Sequence, residues 1–140
     1  LLCLLLLGGR ARTAMIRLPA VVATVVAMDL VLDPGAVALG FWAYPAGGPV
    51  YGVPLSNFAG WVLSATVTVL VLDAVLDRTA LLDRLETCEF ALDDLVSFVL
   101  LWGGINCYFG NWGAAAVGGL LGLGLLSTRR FDVPVPVRWL

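Results

Sequence analysis

Residues 57–76 read "NFAGWVLSATVTVLVLDAVL", twenty residues whose single charge, Asp73, lies near the end. A helix of that length rises about 30 Å, the thickness of a bilayer's hydrocarbon core. Residues 18–32, 94–109 and 113–128 are further apolar runs, and the chain opens on "LLCLLLLGG". Backbone polar groups inside lipid must pair within their own segment, which restricts such runs to helices or closed barrels, and runs this long and unalternating to helices. The chain is 61% hydrophobic and 13% charged, with mean hydropathy +0.99. A soluble domain averages roughly half apolar and a quarter charged. The predicted fold class is all-α: a polytopic transmembrane helix bundle, one membrane domain over 1–140, with about four full segments and a truncated first one. The first residue is Leu and no basic stretch precedes the opening apolar run. The expectation is a trimmed chain, not a signal peptide.

Arginine placement predicts the topology. All eight basic residues are Arg. Arg10, Arg12 and Arg17 precede the 18–32 run, Arg78 and Arg84 follow 57–76, and Arg129, Arg130 and Arg138 follow the last run. The stretches 33–56 and 110–112 carry none. Arg and Lys accumulate in cytoplasmic loops. This alternation predicts a multi-pass cell-membrane protein with its C-terminus and a 77–93 loop in the cytoplasm. The Gly/Pro- and aromatic-rich segment 33–56, "DPGAVALGFWAYPAGGPVYGVPLS", then forms an outer-face loop, of which Ala36 to Trp42 can continue the preceding helix past a proline kink. The two prolines in "RRFDVPVPVRWL", 129–140, predict a non-helical tail.

The composition also excludes partners. The chain has no Lys, His or Gln, acids outnumber bases, and the pI is about 4.8. Nucleic acid needs a basic face and is not expected. An Ala/Val/Gly/Asp/Arg-rich chain without Lys points to a GC-rich genome such as a halophile's. Cys3, Cys88 and Cys107 show no metal-like spacing and read as free apolar cysteines. With no His and no Cys cluster, a zinc or haem site has little to ligate it, and no metal site is expected.

Two carboxyl groups interrupt the greasy stretch "MDLVLDPGAVALGFW", 28–42. Asp29 and Asp33 are four apart, so on a helix they face the same way. Ionised at the centre of a membrane helix, each would cost roughly 2.5–3.5 kcal/mol, and less near its end. With no basic neighbour, the two are expected to share a proton, leaving a neutral acid beside a carboxylate. Such a pair can donate a proton and orient a water. The plainer alternative has Asp33 capping a turn before Pro34 and Asp29 pointing into water.

The stretch "YGVPLSNFAGW", 51–61, is the second unusual piece. Gly52 and Pro54 shape a turn, and Ser56 or Asn57 can cap the following helix. Asn57 and Tyr51 also offer neutral hydrogen-bonding groups at the level of the aspartates. Trp42, Tyr44, Tyr51 and Trp61 fit an interfacial aromatic girdle, or the wall of a site for a long polyene, where ring faces stabilise a carbocation. Asp73, Asp77 and Asp83 read as solvated partners of Arg78 and Arg84. Asp93 and Asp94 suit a helix N-terminus. Asn106 and Asn111 can reach a site or satisfy the turn between the last two runs. Ala114, Gly118 and Gly122 form a small-residue stripe for close helix packing.

Together, "DLVLDPGAVALGFW" and "YGVPLSNFAGW" closely resemble the carotenoid biosynthesis membrane proteins of the CruF type. The resemblance covers about residues 18 to 130 and implies the C-terminal half of a multi-helix enzyme roughly twice this length. It further implies hydration of terminal carbon–carbon double bonds of an acyclic carotenoid. In the archaeal branch the substrate is a fifty-carbon polyene, and bisanhydrobacterioruberin becomes bacterioruberin. The implied partners are that polyene, water, the lipid bilayer and other membrane enzymes of the carotenoid pathway. No cofactor is implied.

Hydration needs an acid, a water site and protection of a tertiary cation. The candidates are Asp29 and Asp33 as acid and water-orienting base, roles unassigned, with Asn57 and Tyr51 positioning the water or the pair. Trp42, Trp61 and Phe58 line the substrate passage, and Glu86, Glu89 and Asp93 are reserve acids. One rival is a carotenoid cyclase, which protonates the same kind of alkene but captures the cation with an internal double bond. The other is a transporter or scaffold in which the aspartates bind a proton or ion.

Overall fold

A computed structural model describes residues 13–77, 80 and 93–127. Four helices make up the fold among these residues: α1 (Ala14–Ala38), α2 (Leu55–Val75), α3 (Asp93–Tyr108) and α4 (Trp112–Ser127). The opening apolar run, most of the 77–93 segment and the C-terminal tail fall outside the described residues, as do Cys3, Cys88, Glu86 and Glu89. At 25 and 21 residues, α1 and α2 are long and apolar enough to cross a membrane. At 16 residues each, α3 and α4 rise about 24 Å.

The helix α1 is the organising element, with α2, α3 and α4 all packed on it. It runs antiparallel to α2 and is tied to it at both ends. Asn57 of α2 reaches Asp29 and Asp33 near one end, and Arg17 pairs with Asp73 at the other. The helices α3 and α4 form an antiparallel hairpin with close backbones. A Cβ on Gly122 would stand 3.2 Å from Val99 Cγ1, and one on Gly118 would stand 3.7 Å from the Gly103 Cα and 3.5 Å from Val31 Cγ1. The small-residue stripe therefore brings α4 against both α3 and α1. Tyr51 of the 39–54 loop meets Gly113 at the start of α4, so that loop and the 109–111 turn share one end of the bundle.

The sequence predicts a loop over 33–56 with the option that the helix continues past Pro34, and α1 takes that option, running on to Ala38. Proline inside a helix removes an N–H and crowds the carbonyl a turn earlier, costing about 3 kcal/mol. Here α3 and the turn after it supply donors. The amide of Asn106, fully buried, donates to the Val31 carbonyl at 2.6 Å and to Trp102 at 2.9 Å. The Asn111 amide donates to the Pro34 carbonyl at 3.3 Å and to Asn106 Oδ1 at 3.0 Å. Next to the proline, Gly35 lets α3 come close: an added Cβ would lie 3.0 Å from Trp102 Cε3 and 3.2 Å from Ile105 Cγ2.

What ends α1 is Gly40, in the left-handed region at φ 74. The Phe41 N–H bonds the Ala36 carbonyl and the Gly40 N–H bonds Val37, the paired closure of a Schellman motif. The same closure ends α3, with Gly110 at φ 75 and bonds from Asn111 to Asn106 and from Gly110 to Cys107.

Arg17, one of the three Arg expected to precede the 18–32 run, stands inside α1, where it is buried and paired with Asp73, an acid expected to partner Arg78 and Arg84. The pairing follows from register, since the antiparallel α1–α2 contact that joins Asn57 to the aspartates brings residue 73 opposite residue 17. Outward-facing positions are largely apolar, including Leu63, Leu70, Leu100, Leu101, Leu120 and Leu126. Helices apolar on both the packed and the open face belong to a large core or to lipid.

Candidate active site

One turn of α1 separates Asp29 from Asp33, and both are buried, at 5% and 3% exposure. The proline that follows them is the residue over which α3 is clasped, so the pair sits on the most tightly held stretch of α1. The amide of Asn57, in the first turn of α2, faces them. Its Nδ2 donates to Asp29 Oδ2 at 2.9 Å and to Asp33 Oδ2 at 2.6 Å. Both amide hydrogens are thus used, one on each acid. Asn57 does not cap α2: the N-cap position is Pro54, with no side-chain cap. Ser56 does not cap it either. Both side chains stand inside the helix, and this one points across to α1.

A further donor comes from the loop. The Tyr44 hydroxyl donates to Asp33 Oδ2 at 2.9 Å. Burial pushes the Tyr44 phenol up to about 12, its bond to Asp33 acts in the same direction, and the Trp42 side chain, hydrogen-bonded to it, acts against them. At any physiological pH the hydroxyl keeps its proton and stays a donor. Asp33 Oδ2 therefore receives two donors and Asp29 Oδ2 one. Among the described residues, neither Oδ1 atom receives a hydrogen bond.

Tyr51, expected beside Asn57, goes elsewhere. It sits at φ 51 and Gly52 at φ 87, in a tight turn where Val53 N–H bonds the Val50 carbonyl at 2.9 Å. Two successive positive φ values make this a primed turn. The turn sends the Tyr51 side chain to α4, where its oxygen accepts the Gly113 N–H at 2.9 Å and satisfies a donor that the helix start leaves open. Nothing local separates Tyr44 from Tyr51 in the sequence. The backbone at 50–53 decides which of them reaches the acids. Gly48 permits that turn, because a Cβ there would fall 2.1 Å from Val53 backbone atoms.

The other candidates scatter. Phe58 is buried at the α1–α2 contact, while Trp42 and Trp61 are exposed at 41% and 44%. Trp42 belongs to the site through Tyr44; Trp61 lies one turn beyond Asn57 on α2. Asp93 and Asp94 occupy the first turn of α3, about 20 Å of helix away from Asn106, which puts Asp93 out of reach of the pair. Cys107 is exposed and free. No group of three or more His, Cys, Asp or Glu gathers among the described residues.

The site is thus a buried carboxyl pair, bridged by an amide and set among apolar helices. The chain belongs to the carotenoid biosynthesis protein family, which matches residues 1–125. It is 58% identical over 132 residues to the bisanhydrobacterioruberin hydratase of Haloarcula japonica, across 94% of this chain and 45% of that relative. The chain thus spans a little under half the length of the curated relative it matches. No solved structure matches it.

Proposed function

We infer that this chain carries the acid pair of a membrane-embedded carotenoid hydratase. The enzyme adds water to the terminal double bonds of a long acyclic carotenoid, as the name of the Haloarcula relative indicates for bisanhydrobacterioruberin. The observation that carries the reading is the Asn57 amide held between Asp29 and Asp33. It keeps two carboxyl groups together in a place where lipid-like surroundings disfavour two charges, which is the condition for one to stay protonated.

A protonated carboxyl transfers its proton to the less substituted carbon of a trisubstituted alkene. The electron pair of the double bond forms the new C–H bond, and a tertiary cation results. Water adds to that cation, and its surplus proton passes to the carboxylate partner, so the pair regains its single proton. Net consumption is one alkene and one water. Aromatic faces such as Trp42 and Phe58 stabilise the passing cation.

The helices lie across a bilayer in this reading. The end of the bundle that carries the 39–54 loop and the 109–111 turn has no Arg, whereas every Arg falls in segments leading to the other end. Because Arg accumulates on the cytoplasmic side, this distribution supports a reading with the acids toward the outer leaflet and the C-terminus in the cytoplasm. Labelling of single cysteines placed at 45–50 and at 77–93 is expected to reach them from opposite sides of sealed vesicles; labelling from one side refutes the arrangement.

Expression in a host that accumulates the acyclic precursor, followed by pigment mass analysis, tests the activity. Hydration raises the mass by one water per modified end. A product of unchanged mass but altered absorption identifies a cyclase, and unchanged pigment removes the enzymatic reading.

A further inference from the structure

Hydrogen-bond donors are distributed unequally over the two acids. Among the described residues, Asp33 Oδ2 receives the Asn57 amide at 2.6 Å and the Tyr44 hydroxyl at 2.9 Å, while Asp29 Oδ2 receives the Asn57 amide alone, at 2.9 Å. Donors pointing at a carboxyl favour its charged form. Tyr44 cannot reverse its role, because it keeps its proton. From this asymmetry we propose a division of labour that rests on the hydratase reading: Asp29 is the acid that protonates the alkene, Asp33 is the carboxylate that takes the proton of the attacking water, and Tyr44 is the positioning residue that holds Asp33 in that role.

The steps balance. The O–H bond of Asp29 breaks as the C–H bond of the substrate forms, leaving Asp29 a carboxylate and the substrate a tertiary cation. A water oxygen bonds the cation while one of its protons moves to Asp33. That proton returns to Asp29 before the next turnover, across one helical turn. If capture by water fails, the cation gives up a proton from an adjacent carbon to Asp29 and the alkene is restored.

This reversal supplies a readout that a merely structural role does not move. In deuterated water, Asp29 carries deuterium, so an alkene that is protonated and then restored gains deuterium without gaining oxygen. Membranes bearing the wild type, Asp29→Asn, Asp33→Asn or Tyr44→Phe, at matched protein level, are incubated with the precursor in deuterated water. Both the hydrated product and deuterium in the recovered precursor are measured.

The expected pattern is hydration in the wild type, neither hydration nor exchange in Asp29→Asn, and exchange without hydration in Asp33→Asn. Tyr44→Phe is expected to retain both, with the ratio of exchange to hydration raised several-fold over wild type. Equal loss of exchange in both Asp variants, or exchange surviving in Asp29→Asn, overturns the assignment while the hydratase reading stands. An unchanged ratio in Tyr44→Phe overturns the role of that residue, and this variant serves if an Asp variant does not accumulate. A wild type that neither hydrates nor exchanges overturns the hydratase reading and the assignment with it.

Discussion

Replacing Asn57 by Ala removes the amide that joins α2 to both acids. Two hydrogen bonds disappear, of 2.9 and 2.6 Å. Interhelical hydrogen bonds in membrane proteins are worth roughly 0.6–2 kcal/mol each, and bonds to charged groups about 1.5–3 kcal/mol. Since the pair carries at most one charge in the proposed state, the lower range governs one bond and the upper the other, for a loss of about 2–5 kcal/mol. No capping term is added, because Asn57 does not cap α2. The α1–α2 contact keeps the Arg17–Asp73 pair at its far end and the buried Phe58, Ala65 and Val69, so the variant is expected to fold with a lowered thermal midpoint. Turnover should suffer more. Without the amide the carboxyls lose their fixed separation, and misplacement of about 1 Å costs on the order of 10²-fold. The assay pairs hydrated pigment per unit of tagged protein in the membrane with thermal unfolding in detergent. Asn57→Asp, the same size but without donors when ionised, should be worse on both counts. Specific activity within twofold of wild type in the Ala variant would refute the bridging role.

Other perturbations are sharper on one axis. Asp29→Asn and Asp33→Asn should each lower hydration by on the order of 10²–10⁴-fold, with the double variant little worse than the poorer single one because the pair acts as a unit; additive losses in pigment turnover argue against a shared proton. Gly35→Val should destabilise by about 1–3 kcal/mol through collision with Trp102 and Ile105, seen as a lower unfolding temperature that Trp102→Leu partly restores. Arg17→Met alone takes the buried guanidinium away from Asp73 and should cost up to about 3–5 kcal/mol, whereas Arg17→Met with Asp73→Leu should recover most of it; accumulation in the membrane and thermal midpoint distinguish the two.

The helices α3 and α4 were legible almost to the residue, because unbroken apolar runs between Gly-containing turns leave few alternatives to a helix. The carboxyl pair was legible too: a four-residue spacing puts two side chains on one helix face whatever surrounds them. The extent of α1 was not. Pro34 reads locally as a stop or a kink, and Asn106 and Asn111, more than 70 residues away, brace the continuing helix by donating to the Val31 and Pro34 carbonyls. Residues 50–53 signal a turn, but not that its positive φ at Tyr51 would direct that side chain to α4 and leave Asp33 to Tyr44.

The sequence by itself therefore determined the class of fold, the apolar exterior and the existence of two acids on one face, since these follow from hydropathy and helical periodicity within a single segment. Tertiary structure decided which groups meet those acids. Asn57 reads as a cap and is a bridge, Arg17 reads as a charge ahead of an apolar run and is a buried partner of Asp73, and one of two similar tyrosines is a donor to Asp33. Each of these depends on the register between segments far apart in the chain, and register is set by packing at sites such as Gly35 and Gly118, where a missing side chain lets two helices approach. No local pattern encodes how close that approach is.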